Sequence, residues 1–470
     1  MKVTQVAIRP TEESNRKNRP ALTPELLAAS GARYSRNNEG LEAILAKIDP
    51  DNLDKSVDSI FKMIDYGHQS IADMVPVAMF IDGVSLFLAY YIWSVCPTAS
   101  GQESSTRYIN YGSETLISAD DLGIPNALRD EWNANTQDCL RAYQEALQEW
   151  ENLAASDGEL ARIPRSLLQD ESDKAQKQVA RMKRNYGFDR ARNFLPSCLP
   201  TNVMMLMSAR AWTQLCQHLR SHPLYEAQTL GEKIAGELNL AAPRMTRHAV
   251  RQDSIVAGLE REHQKCVALA QSESPFLQPN STSFACPPRA HLDVQLPAGV
   301  AESDLVSDLE FHHHRYAWIG ENLKRSVVRF GWDAVALAEI RDLNRHRTGT
   351  KHCPLVPQGF YAALEEWPEK VRPKNGVLFE LAQAGRSASR RARELLRNDE
   401  SAYVYWTALG TQFPFEHVTT AEKFIYEAEL RTGTGAHFRY AQHLRDVLKL
   451  WYDRFPTTRD LILEGSAEPE

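Results

Sequence analysis

Gly101-Gln102-Glu103-Ser104-Ser105-Thr106-Arg107-Tyr108 is the stretch on which the reading of this chain turns. An apolar run at residues 84–95 precedes it and predicts a buried helix. Residues 108–111, rich in tyrosine, predict a short strand after it. The octet therefore reads as a polar loop held between two packed elements. It offers backbone N–H groups, three aliphatic hydroxyls, one carboxylate and one guanidinium fork to a phosphate or a pyrimidine. The plain alternative is a solvated surface turn.

The flanking segments repeat this kind of chemistry. Upstream stands Gly67-His68-Gln69-Ser70, then a strand-like stretch at 75–81. Downstream come Arg192-Asn193-Phe194-Leu195-Pro196, Ser208-Ala209-Arg210, Leu219-Arg220 and Ala227-Gln228. That order resembles the flavin-dependent thymidylate synthases over residues 26–234. Their signature places Arg-His-Arg seven residues before Ser-x-Arg, which is usually followed by Tyr. The resemblance implies an α+β fold of mainly antiparallel sheet packed with helices. It also implies reductive methylation of dUMP to dTMP, with methylene tetrahydrofolate as carbon donor, NADPH as reductant and reduced FAD as cofactor.

One departure organises the rest of the reading. No Arg or His stands between Phe87 and Arg107, where the family carries Arg-His-Arg. The triplet appears far downstream instead, as Arg345-His346-Arg347 after a helix-like run at 332–343, and without a following Ser-x-Arg-Tyr. The second half repeats the order of the first more loosely, with Thr420-Ala421-Glu422 and Leu430-Arg431 standing for Ser208-Ala209-Arg210 and Leu219-Arg220. A diverged tandem duplication is therefore expected, with domains at 1–265 and 266–470 and the signature split between them. Family active sites are assembled from several subunits of a homotetramer. A homodimer of this chain would then form a pseudo-tetramer, with hybrid sites drawn from both repeats.

By resemblance, Ser105, Arg107 and Arg220 are the catalytic candidates. Glu103, Ser105, Arg107, Arg192 and Arg220 would bind the nucleotide. His68, Ser208, Arg210, Gln214, Arg345, His346 and Arg347 would bind the flavin. Asp73-Met74 stands where the family often has Glu-His, a departure on the folate and flavin side. Arg192 also has a structural reading as a salt-bridge partner. Ser208 can cap the following helix, on which Arg210 and Gln214 share a face. Two further functions stay open: a non-catalytic nucleotide-binding protein, and a different flavin enzyme acting on a related pyrimidine nucleotide.

Composition bounds these readings. At 470 residues the chain is long enough for two cores. A net charge of −7 gives no global basic field for nucleic acid. Seven cysteines without a CxxC pair suggest neither a disulfide framework nor a zinc site. The three adjacent histidines His312-His313-His314 do not share a helix face, so no metal is expected there. No membrane-length apolar segment is present, and a cytoplasmic protein is expected.

Overall fold

The computed structural model describes all residues except 36–39, 50–51, 66–68, 97, 110, 112–115, 157–159, 162, 367–375 and 466–470. Its strands are β1 (Lys2–Val6), β2 (Pro76–Ser85), β3 (Ser100–Glu103), β4 (Pro200–Ser208), β5 (Ala290–Gln295), β6 (Val327–Ala336), β7 (Thr350–His352), β8 (Gly359–Phe360) and β9 (Thr411–Thr420). The helices that matter below are α1 (Leu86–Val95), α2 (Arg129–Ser156), α3 (Asp173–Ala191), α4 (Ala209–Ser221), α5 (Leu337–Leu343), α6 (Val377–Arg397), α7 (Ala421–Thr432) and α8 (Phe438–Arg454). All the strand pairings are antiparallel, so the fold is α+β, as expected.

The chain divides into two compact units. The first comprises Met1–Ser104, Leu116–Gly123 and Leu199–His263; the second comprises Ser105–Thr115, Ile124–Cys198 and Gln264–Glu470. The units thus do not follow a single cut at 265/266, which falls inside the helix Asp253–Ala270. α2 and α3, from the first half of the sequence, are part of the second unit. There Trp132 Nε1 on α2 donates to the carbonyl of Tyr405 at 3.0 Å.

Each unit is built on a sheet with the same strand plan. The first has order β1-β2-β4-β3, and the second has β5-β6-β9-β7, with β8 also paired to β9. In each, the long second strand carries a bulge near its end, at Asp82/Val84 in β2 and Trp332/Val335 in β6. Each of those strands then passes directly into a helix, α1 or α5. The strands β4 and β9 likewise run straight into α4 and α7. Apolar residues pack the cores: α1 buries Leu86, Phe87, Leu88, Ala89, Ile92 and Trp93, and β6 buries Val328, Phe330 and Trp332.

Three local expectations change. The octet begins as strand rather than loop, because Ser100–Glu103 pairs with β4 from Leu206 to Val203. Gly101 permits that approach, since a Cβ there would stand 1.9 Å from the Met204 carbonyl oxygen. Residues 106–108 form a turn, and neither Tyr108 nor Tyr111 is in a strand. The run at 332–343 is half strand and half helix, because the apolar end of β6 continues into α5 without a break.

Candidate functional site

In the second unit, β6 hands the chain to α5 through Ala336, whose N–H donates to Glu339 Oε2 at 3.1 Å. α5 ends at Leu343 and delivers Arg345-His346-Arg347 into the turn before β7. The triplet lines a cavity of about 510 Å³. Lys423, Tyr426 and Arg431 of α7 form a second wall, and Arg315 with Tyr316 a third. Five cationic side chains face it, against one carboxylate, that of Glu422. Glu422 and Tyr426 occupy the second and sixth positions of α7, and Arg210 and Gln214 those of α4.

His346 is buried and holds the cavity together rather than charging it. Arg431 Nε donates to His346 Nε2 at 2.7 Å, and Arg431 Nη2 donates to the Asp342 carbonyl at 3.1 Å. An imidazole that accepts from a guanidinium is neutral, with its proton on Nδ1, which lies 3.9 Å from Glu427 Oε2. Burial pushes the His346 pKa down to about 3; Arg431 adds to that, and Glu427 opposes it. The folded value lies below the ordinary one, so the unfolded chain takes a proton that the folded chain refuses. Stability from this residue is complete above about pH 6.5 and is lost as pH falls toward the folded value. Urea midpoints should therefore drop from pH 7 to pH 4, and His346→Gln should drop less over the same range. Equal slopes for the two proteins would overturn this account.

Asp342, on α5, is the hub behind the triplet. Arg192 Nη1 and Nη2 both donate to its Oδ2 at 3.1 Å. Burial would raise the Asp342 pKa, but Arg192, Arg431 and Arg107 outweigh it and hold the group at about 2. Arg192 is 2% exposed. Arg107 makes a similar fork: Nε donates to Asp189 Oδ1 at 2.6 Å and Nη2 to Oδ2 at 3.0 Å. Its Nη1 donates to the Gly435 carbonyl at 3.0 Å. Ser105 Oγ accepts from the Arg107 N–H at 3.2 Å and so braces the turn.

The second unit thus brings together Ser105, Arg107 and Arg192 with Arg345, His346 and Arg347, from opposite halves of the sequence. Sequence reasoning missed Asp189 and Asp342. Each stands three residues before a candidate arginine, Arg192 and Arg345, and that helical spacing is the signal that marks them.

The remaining candidates lie in the first unit. Ser208 caps α4, its Oγ accepting from the Ala211 N–H at 3.2 Å. Arg210 Nη1 donates to Asp73 Oδ2 at 2.8 Å, so the departure at Asp73 supplies the partner of Arg210. Gln214 is exposed on the next turn. Arg220 pairs with Glu232 at 2.7 Å. Glu103 closes β3 opposite Val203. His68 lies outside the described residues. Among the described residues, no group of His, Cys, Asp or Glu is arranged to hold a metal ion, and no helix is long and apolar enough to cross a membrane.

Residues 21–244 match the thymidylate synthase complementing protein family. The match spans just under half of the chain, and the family is the flavin-dependent one that the motifs resemble. A curated relative, the UPF0159 protein Ta1429 of Thermoplasma acidophilum, is 25% identical over 476 residues, covering 90% of this chain and 91% of that protein. A flavin-dependent thymidylate synthase from Helicobacter pylori, solved with FAD and dUMP, is similar over 53% of this chain and 100% of its own. Its identity is 16% and its TM-score 0.31, too low to carry structural detail across.

Proposed function

We propose that this chain is a flavin-dependent thymidylate synthase-like protein whose flavin site is the basic cavity of the second unit. The observation that carries the reading is the placement of Arg345-His346-Arg347 on a cavity with Lys423 and Arg431. The donor set fits a dinucleotide diphosphate: several cations converge on one concave surface, next to an apolar floor of Ala317, Ile319 and Leu430. Reduced flavin, when bound, supplies the hydride that completes methyl transfer to the uracil ring. Arg345, Arg347, Lys423 and Arg431 would hold its phosphates, and neutral His346 would keep Arg431 in place. The substrate of this reading is dUMP, with methylene tetrahydrofolate and NADPH as co-substrates, in the cytoplasm.

In this reading the shared strand plan reflects two diverged copies in sequence, 1–265 and 266–470, and two chains pair as a pseudo-tetramer. Where the second unit has its triplet, the first reads Trp93-Ser94-Val95-Cys96, with no cation. One flavin per chain is therefore expected. The absorption spectrum of the desalted protein after incubation with excess FAD reads this directly. A flavin band at one equivalent supports the reading, and deoxyuridylate methylation is then assayed. Two equivalents would place a site in the first unit, and none would remove the flavin reading.

A second reading rests on its own observation. Arg107 and Arg192, the expected phosphate grips, already have their forks on Asp189 and Asp342. With both grips engaged, that arrangement favours a non-catalytic nucleotide-binding protein whose ligand is held by the basic cavity alone. It is distinguished by FAD or ADP binding without deoxyuridylate methylation.

A further inference from the structure

The cavity has a feature that its cations do not explain. Tyr316 stands on its rim and is 74% exposed. Its ring centroid lies 6.1 Å from that of Tyr426, at an interplanar angle of 49°. An aromatic ring left in water next to a basic cavity has apolar area still to bury.

The backbone that carries Tyr316 is fixed. On one side, a ring nitrogen of His312 and Glu429 Oε1 are 2.8 Å apart, and both residues are buried. On the other, the Gly320 N–H donates to the Asp308 carbonyl at 2.9 Å. Between these anchors the Ala317 N–H donates to the His314 carbonyl at 2.7 Å, and the Tyr316 N–H to His314 Nδ1 at 3.3 Å. The side chain is thus presented from a tight turn, and two torsions are all that remain to be ordered when a ligand arrives.

The wall behind it sets the ligand class. Arg345, Arg347, Lys423 and Arg431 suit phosphate oxygens, while the face of Tyr316 suits a flat heterocycle. We infer that Tyr316, with Tyr426 at its side, is a stacking platform for the planar ring of a phosphate-bearing ligand held by these cations. The inference rests on the cavity being the ligand site. It assigns the ring-binding end of that site to the segment between His312 and Gly320, a stretch outside the matched family segment.

The test is titration calorimetry on the full chain with FAD, ADP, FMN and inorganic pyrophosphate. Tyr316→Ala should weaken FAD about ten-fold or more, as the loss of one stacked ring predicts. Tyr316→Phe keeps the ring face and should bind FAD as the parent does. Pyrophosphate affinity should be unchanged in both variants. Whichever of ADP or FMN weakens in Tyr316→Ala identifies the ring on the platform, adenine or isoalloxazine. Parental affinities for all four probes in Tyr316→Ala, alongside FAD loss in Arg345→Ala, would overturn the platform and leave the flavin reading standing. No binding of any probe by the parent chain would overturn both.

Discussion

Asp342→Ala is expected to destabilise the second unit by about 3–5 kcal/mol, the cost of removing one partner from a buried ion pair. The substitution strips Arg192 of both its Asp342 hydrogen bonds while that guanidinium stays 2% exposed. It also removes the negative charge that Arg107 and Arg431 face in common. Urea unfolding at pH 7 measures the loss, and a midpoint equal to that of the parent would refute the hub. Replacing both partners, Arg192→Met with Asp342→Leu, should recover most of the stability, because no unpaired charge is then buried. The pH dependence follows in sign. The folded Asp342 value, about 2, lies below the ordinary carboxylate value. Its contribution is therefore present above about pH 4 and is lost as pH falls toward 2.

The second large effect concerns ligand rather than fold. Arg345→Ala with Arg347→Ala should weaken FAD by roughly 10²–10⁴-fold, taking about 1.5–3 kcal/mol for each charge-assisted contact. The Arg345 side chain is 56% exposed and lies 4.0 Å from Asp342 Oδ1, so little folding stability depends on it. Flavin fluorescence on titration reads the change, and circular dichroism checks the fold. Unchanged FAD affinity in a folded double variant would exclude this cavity as the flavin site.

Much of the architecture was legible because it lies in local pattern. The apolar run at 84–95, most of which is α1, and the serine before α4 both signal elements that are present. What misled was the octet. Its small polar residues suggest a loop, but its first three residues pair with β4, and a sheet partner about a hundred residues away leaves no local signal. The strand expected at 108–111 is absent for a related reason. Aromatic residues raise β-propensity, yet here Tyr111 is buried against the second unit's own core and no ladder forms.

The candidate site was legible in residue type and not in partnership. Arg107 and Arg192 were singled out as cations for a phosphate, but whether a guanidinium meets a carboxylate first depends on tertiary placement of Asp189 and Asp342. The clustering of Ser105, Arg107 and Arg192 with the distant triplet lay equally beyond reach. It arises because residues 105–115 and 124–198 fold into the second unit, and no periodicity encodes that exchange. Tyr316 carries no signal in the sequence, because its exposure and its tyrosine neighbour exist only in three dimensions.

The bulge in β6 sets a limit on how this chain can vary in length. Between Trp332 and Val335 the strand spends one residue more than its partner, which advances only from Phe415 to Phe413. Removing Asp333 or Ala334 would hardly alter composition, hydropathy or charge. It would nonetheless close the bulge, leaving Val335 opposite Phe413 but removing the local bend and extra twist with which β6 enters α5. Arg345, His346 and Arg347 would then be re-aimed together, since they follow a helix that leaves the sheet in a changed direction. Substitution at this point is a matter of fit, whereas insertion or deletion is a matter of aim.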